Sequence, residues 1–220
     1  MKRALTRTTV FAVALATASC SSPDPKLYTL MPTPAGVQVG NVQAGNVQAG
    51  RGPRTVMVRR PGLAGYLDRP DIVRSGGNFQ LSLHSGEQWG EPFGELLGRI
   101  LVEDLSRRLP GSSVYSETGA ISADPDATLE IDVQRFDADA SGTVTLAVQW
   151  SVERGRGNPA GPPVLNRITV TPASSSTADV VAAMSTALGQ EADVIATALR
   201  ALPSAQGAGG QRGRGRRAGR

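Results

Sequence analysis

Polar and apolar residues alternate along residues 127–136, whose sequence is ATLEIDVQRF. Leu129, Ile131 and Val133 fall on one face of an extended chain, which is typical of a half-buried strand. Residues 144–152 (VTLAVQWSV) alternate in the same way, and the DADASG stretch that separates the two segments is rich in turn-forming residues. The sequence therefore predicts an antiparallel hairpin, around which the rest of the fold can be placed.

Two amphipathic helices are predicted on either side of this hairpin in the sequence. The first opens at residues 85–87 and ends at Pro110-Gly111, because proline and glycine stop a helix. Its apolar residues recur with the spacing of one helical face, and they are Phe93, Leu96, Leu97, Ile100, Leu101, Leu105 and Leu109. The second helix is capped by residues 174–177 and runs to Leu202. Its apolar stripe consists of Val180, Val181, Met184, Leu188, Ala192, Ile195, Ala196 and Leu199.

Short segments elsewhere have the composition of strands. They cover residues 27–30, 55–60, 72–74, 79–84, 113–115 and 164–170. A Ser-Gly-Gly-Asn turn separates residues 72–74 from residues 79–84, so these two segments are predicted to form a hairpin. Strands, helix, strands and helix in this order predict an α+β fold, with a mostly antiparallel sheet and both helices packed on one face. The other face of the sheet is left for solvent, a partner or a lipid.

The N-terminus has the features of an export signal. Three positive charges lie within the first seven residues, and the small apolar run at residues 8–18 is too short to span a bilayer. Residues up to Cys20 resemble a lipobox, so we expect residues 1–19 to be a signal peptide, Cys20 to carry fatty acyl chains such as palmitate, and residues 20–26 to be a lipidated tether. The alternative is an ordinary secretory signal cleaved near Ala18.

The mature chain is predicted to contain one domain, residues 27–202, with a flexible low-complexity loop at residues 31–53 that holds a duplicated NVQAG unit. Residues 203–220 form a Gly-rich tail with five arginines, predicted to be disordered and either solvated or in contact with anionic lipid. Without the eight positive charges of the signal and tail, the net charge of +4 becomes −4. The domain therefore lacks the basic surface that nucleic-acid binding needs.

The residues that usually carry catalysis or bind metals are scarce. Cys20 is the only cysteine and His84 the only histidine, and no Gly-x-Ser-x-Gly motif or phosphate-binding glycine loop is present. We therefore predict no metal, no cofactor and no enzymatic activity, and an exported hydrolase is a minor alternative.

Three motifs in order resemble a known family. Residues 65–73 contain Tyr-Leu-Asp-Arg-Pro, residues 89–93 read Trp-Gly-Glu-Pro-Phe at the start of the leucine-striped helix, and residues 109–111 read Leu-Pro-Gly at its end. With the lipobox, this pattern over about residues 20–202 is similar to the ABC-type transport auxiliary lipoproteins, PqiC-like outer-membrane lipoproteins of MCE-type lipid transport systems. The NVQAG repeat and the arginine tail depart from the family pattern.

The resemblance implies a non-catalytic lipoprotein, anchored in the outer membrane and facing the periplasm, which docks an MCE-type lipid-transport protein and helps to maintain the envelope. A homo-oligomer is an alternative to a monomer that the sequence leaves open. The candidate partner-binding residues are Tyr66, Leu67, Asp68, Arg69, Pro70 and Trp89. The same loop could instead serve only the fold, and both tryptophans could lie in the core. A different class of function is a stand-alone periplasmic lipid carrier, which requires an apolar cavity of several hundred Å³ between the sheet and the helices.

Overall fold

A computed structural model of the protein describes residues 24–36, 52–76, 80–121, 123–155 and 157–202. Within these ranges the strands are β1 (Lys26–Tyr28), β2 (Thr55–Val58), β3 (Gly62–Leu63), β4 (Asp71–Ser75), β5 (Leu81–Trp89), β6 (Ser113–Ser116), β7 (Ala127–Ala138), β8 (Val144–Arg154), β9 (Asn158–Pro159) and β10 (Val164–Val170). The helices are α1 (Phe93–Arg108), between β5 and β6, and α2 (Thr177–Ala201), after β10. Within the described ranges, no helix has the run of apolar residues that is needed to span a bilayer.

The hairpin predicted from the alternating sequence lies at the centre of the sheet. β7 and β8 pair antiparallel up to Ala138 opposite Val144. Between these residues the Asp139 carboxylate closes the turn, where its Oδ1 accepts hydrogen bonds from the backbone N–H groups of Ser141 (2.8 Å) and Thr143 (3.0 Å). The second edge of β8 pairs antiparallel with β10 along all seven residues of β10, and with the short β9.

Three successive segments share the other edge of β7. β2 pairs with residues 127–129, β3 with residues 132–133 and β4 with Ala138, all of them parallel to β7. The chain between Thr55 and Arg74 therefore follows β7 from its beginning to its end. β6 extends the sheet beyond β2, whereas β5 and then β1 extend it beyond β4.

The α+β class is confirmed, but the sheet is mixed and the prediction of a mostly antiparallel sheet is wrong in this respect. Five strand pairs are parallel, namely β1–β5, β2–β6, β2–β7, β3–β7 and β4–β7. The reason is that alternation identifies the face on which a side chain lies but not the direction of the neighbouring strand.

Both helices pack on one face of this sheet, as predicted, and they also pack against each other. The core between the layers contains the predicted stripe of α1 and most of α2, including Ala192, Ile195, Ala196 and Leu199. Ser176 caps α2, because its side chain accepts a hydrogen bond from the backbone N–H of Asp179 at 3.2 Å.

The start of α1 differs from the prediction. Residues 85–87 continue β5 rather than opening a helix, and α1 begins only at Phe93, after Pro92 at the N-cap. Gly86 has a φ of +78°, a left-handed conformation that glycine adopts readily and that interrupts a helix. Beyond it the strand pairs again, since the Trp89 N–H donates to the Pro70 carbonyl at 2.8 Å.

The sheet face away from the helices is polar at its centre. Along β7 the residues that alternate with the core positions are Thr128, Glu130, Asp132 and Gln134, and Glu130 forms an ion pair with Arg59 at 2.7 Å. This part of the outer face is suited to water or a polar partner, not to an acyl chain.

Candidate docking site

The Tyr66–Pro70 loop connects β3 to β4 and is held at both ends by backbone hydrogen bonds. Before it, the Ala64 N–H donates to the Val133 carbonyl of β7 at 2.9 Å. Within it, Leu67 N–H donates to the Ala64 carbonyl (2.8 Å) and Arg69 N–H to the Leu67 carbonyl (2.9 Å). The Pro70 carbonyl then accepts from Trp89. The backbone of the loop is therefore fixed to β7 and β5, the two strands that flank it.

The first half of the loop belongs to the fold. The Tyr66 hydroxyl donates to Oδ2 of the buried Asp137 at 2.7 Å, and Arg135 binds Oδ1 of the same carboxylate at 2.9 Å. Burial, reinforced by the hydrogen bond and the negative charge of Asp137, raises the pKa of the Tyr66 phenol. Leu67 is buried in the core. These two side chains anchor the loop.

The second half of the loop is exposed. Asp68, Arg69 and Pro70 all face solvent. No hydrogen bond or ion pair joins the Asp68 or Arg69 side chain to any residue within the described ranges. Two adjacent charges are therefore unpaired within the described residues, on a backbone that is fixed by hydrogen bonds. Loops held in this way are where binding residues concentrate.

Trp89 lies in the core. It is 6 % exposed, and its ring stacks on that of Phe93 with the centroids 4.6 Å apart and 17° between the planes. Trp150 is buried as well. The Trp89 ring therefore offers almost no surface to a partner. Trp89 is connected to the loop by the hydrogen bond from its backbone N–H to the Pro70 carbonyl.

A lipid carrier would need an apolar cavity between the sheet and the helices, and the residues there pack as one continuous buried core. A cleft of about 250 Å³ lies instead on the surface between α1 and the segments that follow β2 and β6. Charged residues line it, and they are paired, Arg60 with Glu95 (3.3 Å) and Arg99 with Glu91. At this volume the cleft is smaller than the several hundred Å³ that a lipid carrier requires, and it lies outside the space between the sheet and the helices.

Other predicted features fall outside the described residues, among them Cys20, the signal peptide, the NVQAG repeat and the tail. The His84 backbone lies within β5. In the described ranges no group of three or more acidic, histidine or cysteine side chains could hold a metal ion.

Sequence reasoning missed a buried polar cluster centred on Arg108. Its side chain is fully buried and binds Asp104 of α1 (2.9 Å) and Asp193 of α2 (2.8 Å). It also donates to Thr33 Oγ1 (3.1 Å) and to the backbone carbonyls of Thr33 and Pro34 (both 3.3 Å). The N-terminal segment at residues 31–34 is thereby fixed across the two helices. The available signal was the position of Asp104 and Arg108, four residues apart beside the leucines of the α1 stripe.

A comparison with known protein families shows to which family the chain belongs. Residues 38–196, more than half of the chain, match the family described as the ABC-type transport auxiliary lipoprotein component. The chain belongs to this family. The resemblance expected from the loop and helix motifs is confirmed, and as a family member the protein is a lipoprotein component of a transport system.

Solved structures agree with this fold. The auxiliary lipoprotein is similar to a crystal structure of an uncharacterised protein, with 22 % identity and a TM-score of 0.59 over 66 % of this chain and 90 % of the other. It is also similar to protein XCC0632 from Xanthomonas campestris, a DUF330 protein, with 21 % identity and a TM-score of 0.55 over 79 % and 91 % of the two chains. No curated protein matches the sequence.

Proposed function

We propose that this auxiliary lipoprotein is a non-catalytic docking component of the outer membrane. It would be anchored through acylated Cys20, face the periplasm, and bind an MCE-type lipid-transport protein through Asp68, Arg69 and Pro70. Its contribution to envelope integrity would then follow from holding the transport system together. The observation that carries the proposal is the divided loop, in which Tyr66 and Leu67 fix the backbone while Asp68 and Arg69 have no charged partner in the part of the chain that the structure describes.

Docking is favoured over lipid carriage because the space between the sheet and the helices is filled with side chains. Charged side chains on a fixed backbone suit recognition of a polar protein surface, since the side chains lose little additional freedom on binding. Trp89 contributes to docking indirectly: its backbone N–H holds Pro70 in place, and its ring does not contact the partner.

The docking proposal is tested by reversing the charge of Arg69. Arg69→Glu should weaken co-purification with the MCE-type protein, because a repelling charge opposes the contact instead of merely removing it. The melting temperature and the native mass should stay as in the wild type, because the Arg69 side chain is exposed and unpaired within the described structure.

Arg154→Glu provides the matched control. Arg154 is also exposed, and it lies at the end of β8 opposite Ala127, at the far end of the β7–β8 ladder from the loop. The same change of charge at this position should leave co-purification intact. Equal binding by wild type, Arg69→Glu and Arg154→Glu would remove the docking assignment.

The anchor is tested separately with Cys20→Ser. Stable membrane attachment requires more than one acyl chain, which an acylated N-terminal cysteine provides. The variant should move from the outer-membrane fraction to the soluble periplasmic fraction. If it still sediments with the outer membrane, the anchor lies elsewhere in the chain.

A further inference from the structure

Three leucines are exposed at one corner of the sheet. The exposed fraction is 65 % for Leu27, 54 % for Leu81 and 45 % for Leu83. They contrast with the polar side chains that cover the outer face at β7. Large exposed apolar groups gathered in one region indicate a contact with a partner or a membrane.

Register places Leu81 and Leu83 on the outer face of the sheet. Leu83 lies opposite Val73 and Leu81 opposite Ser75, two residues further along β4. Arg74, between these positions, points to the helix face, where it donates to Thr177 Oγ1 of α2 at 2.9 Å. Because successive side chains of a strand point to opposite faces, both leucines face away from the helices.

Leu27 faces the same way. The next residue, Tyr28, donates from its hydroxyl to Glu87 at 3.1 Å, and Glu87 in turn accepts from Thr177 on the helix side. Leu27 must therefore point to the outer face. The three leucines lie on the edge of one face, formed by β1 and the β4–β5 hairpin.

The direction of β1 brings the proposed anchor to this corner. β1 is parallel to β5, with Lys26 opposite Glu87, so the chain that precedes Lys26 enters from the side of Leu81. Six residues separate Cys20 from Lys26 and span at most about 20 Å. The register shift in the β4–β5 pairing brings Leu81 closer to this end of β5, because Asp71 and Ser75, the partners of Gln88 and Leu81, are only four residues and about 13 Å apart. An acyl anchor on Cys20 can therefore reach the level of Leu81.

The charge of the hairpin also suits a lipid surface. Residues 72–86 contain no aspartate or glutamate, although the whole chain has 19 acidic residues. Carboxylates near anionic headgroups would be repelled. Its one charged side chain, that of Arg74, lies on the helix face.

We infer that Leu27, Leu81 and Leu83 form a second membrane contact, which lies on the surface of the phospholipid bilayer beside the lipid anchor. This inference rests on the acylation of Cys20 in the proposed function. It also orients the domain. Gln88 lies about 13 Å from Leu81 along the sheet, since their partners Asp71 and Ser75 are four residues apart in β4. The Asp68–Pro70 loop, which is bonded to the adjacent Trp89, is thus held away from the membrane and towards the periplasm.

The first test measures binding to vesicles without the anchor. Full-length Cys20→Ser protein is sedimented with vesicles of phosphatidylethanolamine and phosphatidylglycerol, with and without Leu81→Ser/Leu83→Ser. The two side chains together expose about the area of one fully exposed leucine. Their replacement should therefore lower vesicle affinity about tenfold. Leu165→Ser, at the 70 % exposed Leu165 of β10, is the matched control and should change nothing.

A second test uses the anchored protein. Since Cys20 is the only cysteine and acylation blocks its thiol, Leu83→Cys and Leu165→Cys each introduce one site for an environment-sensitive NBD dye. In vesicles the dye at position 83 should be several-fold brighter and blue-shifted relative to the dye at position 165. Equal emission at both positions would overturn the inference. A concentration-dependent shift at position 83 without vesicles would also overturn it, because a second copy would then cover the leucines.

Failure of this inference can be distinguished from failure of the proposed function. Loss of docking is measured by co-purification of Arg69→Glu, and loss of the anchor by fractionation of Cys20→Ser. Co-purification does not depend on the leucines, and the fractionation is repeated with Cys20→Ser/Leu81→Ser/Leu83→Ser, in which the leucine contact is removed together with the anchor.

Discussion

Thr33 occupies the space directly above Gly189 of α2. A Cβ atom on Gly189 would lie 1.8 Å from Thr33 Oγ1 and 3.0 Å from Thr33 Cβ, closer than real atoms approach. Glycine inside a helix normally lowers stability by about 1 kcal/mol relative to alanine. The glycine at this position is therefore explained by the N-terminal segment that crosses the helix.

Gly189→Ala should destabilise the protein, opposite to the usual effect of this substitution in a helix. Thr33→Gly removes the clash, so the double variant should recover part of the loss. In a double-mutant cycle we expect a favourable coupling free energy of about 1 kcal/mol or more, measured by urea unfolding. Additive effects of the two changes would show that Thr33 does not rest on Gly189 in solution.

Arg108→Met should cost about 3–5 kcal/mol in the free energy of unfolding, because it leaves the buried Asp104 carboxylate without its cation. The neighbouring Arg107 is the control, since its ion pair with Glu103 (2.6 Å) is on the surface. Arg107→Met should cost no more than about 1 kcal/mol. Similar losses for both variants would contradict the buried cluster.

Tyr66→Phe should lower the free energy of unfolding by about 1–2 kcal/mol, since it removes the hydrogen bond to the buried Asp137. Because the pKa of Tyr66 is raised in the fold, the folded state keeps its phenolic proton at a pH where the unfolded chain has lost it. Wild-type stability should therefore fall as the pH rises above about 10. The phenylalanine variant should have a shallower decline in the same range, as measured by denaturant unfolding at each pH.

Glu191 should make the protein less stable as the pH rises through the acidic range. This carboxyl of α2 is fully buried, with Oε2 accepting from Asn166 Nδ2 at 2.7 Å. Within the described residues neither Oε1 nor Nε1 of Trp150 has a hydrogen-bond partner, although the nearby Trp150 N–H favours the charged form of Glu191. Burial outweighs these neighbours and raises the pKa of Glu191 above its ordinary value of 4.5.

In the window above pH 4.5 the folded state therefore binds more protons than the unfolded chain, and stability falls with rising pH. Glu191→Gln has no such titration. Melting temperatures of both proteins between pH 4 and 8 should show that the variant gains on the wild type as the pH increases. Parallel curves would mean that Glu191 titrates normally in the fold.

The local pattern of the sequence was sufficient to predict the central hairpin, both helices and β10. At residues 127–133 and 144–152 every second residue is apolar, and the stripe of α1 includes six apolar residues on one face. The burial of one face determines the secondary structure of such segments, and the turn and cap residues that end them lie beside them in the sequence.

Strand direction and long-range contacts could not be predicted in the same way. The parallel pairing of β2, β3 and β4 with β7 depends on residues about 70 positions apart, and nothing in their own sequence specifies it. The sequence predicts too early a start for α1, because the left-handed φ of Gly86 depends on the strand pairing around it. The motif at residues 66–70 located the candidate site, but only the contacts of Tyr66 and Leu67 separate the anchoring half from the exposed half.

The parallel pairing of β1 with β5 also has a mechanical consequence. A pull between the lipid anchor and a docked partner would act along the axis of β1, so that the pairs of Lys26, Leu27 and Tyr28 with β5 are loaded in shear and must yield together. Had β1 left the sheet sideways, the same hydrogen bonds would open one after another under a smaller force. Beyond β1, the bonds of Thr33 to Asp104 and Arg108 act as a second clamp in the path of the force. Resistance to forced unfolding is governed by the rate of unfolding, and this arrangement should slow the release of the tether under tension.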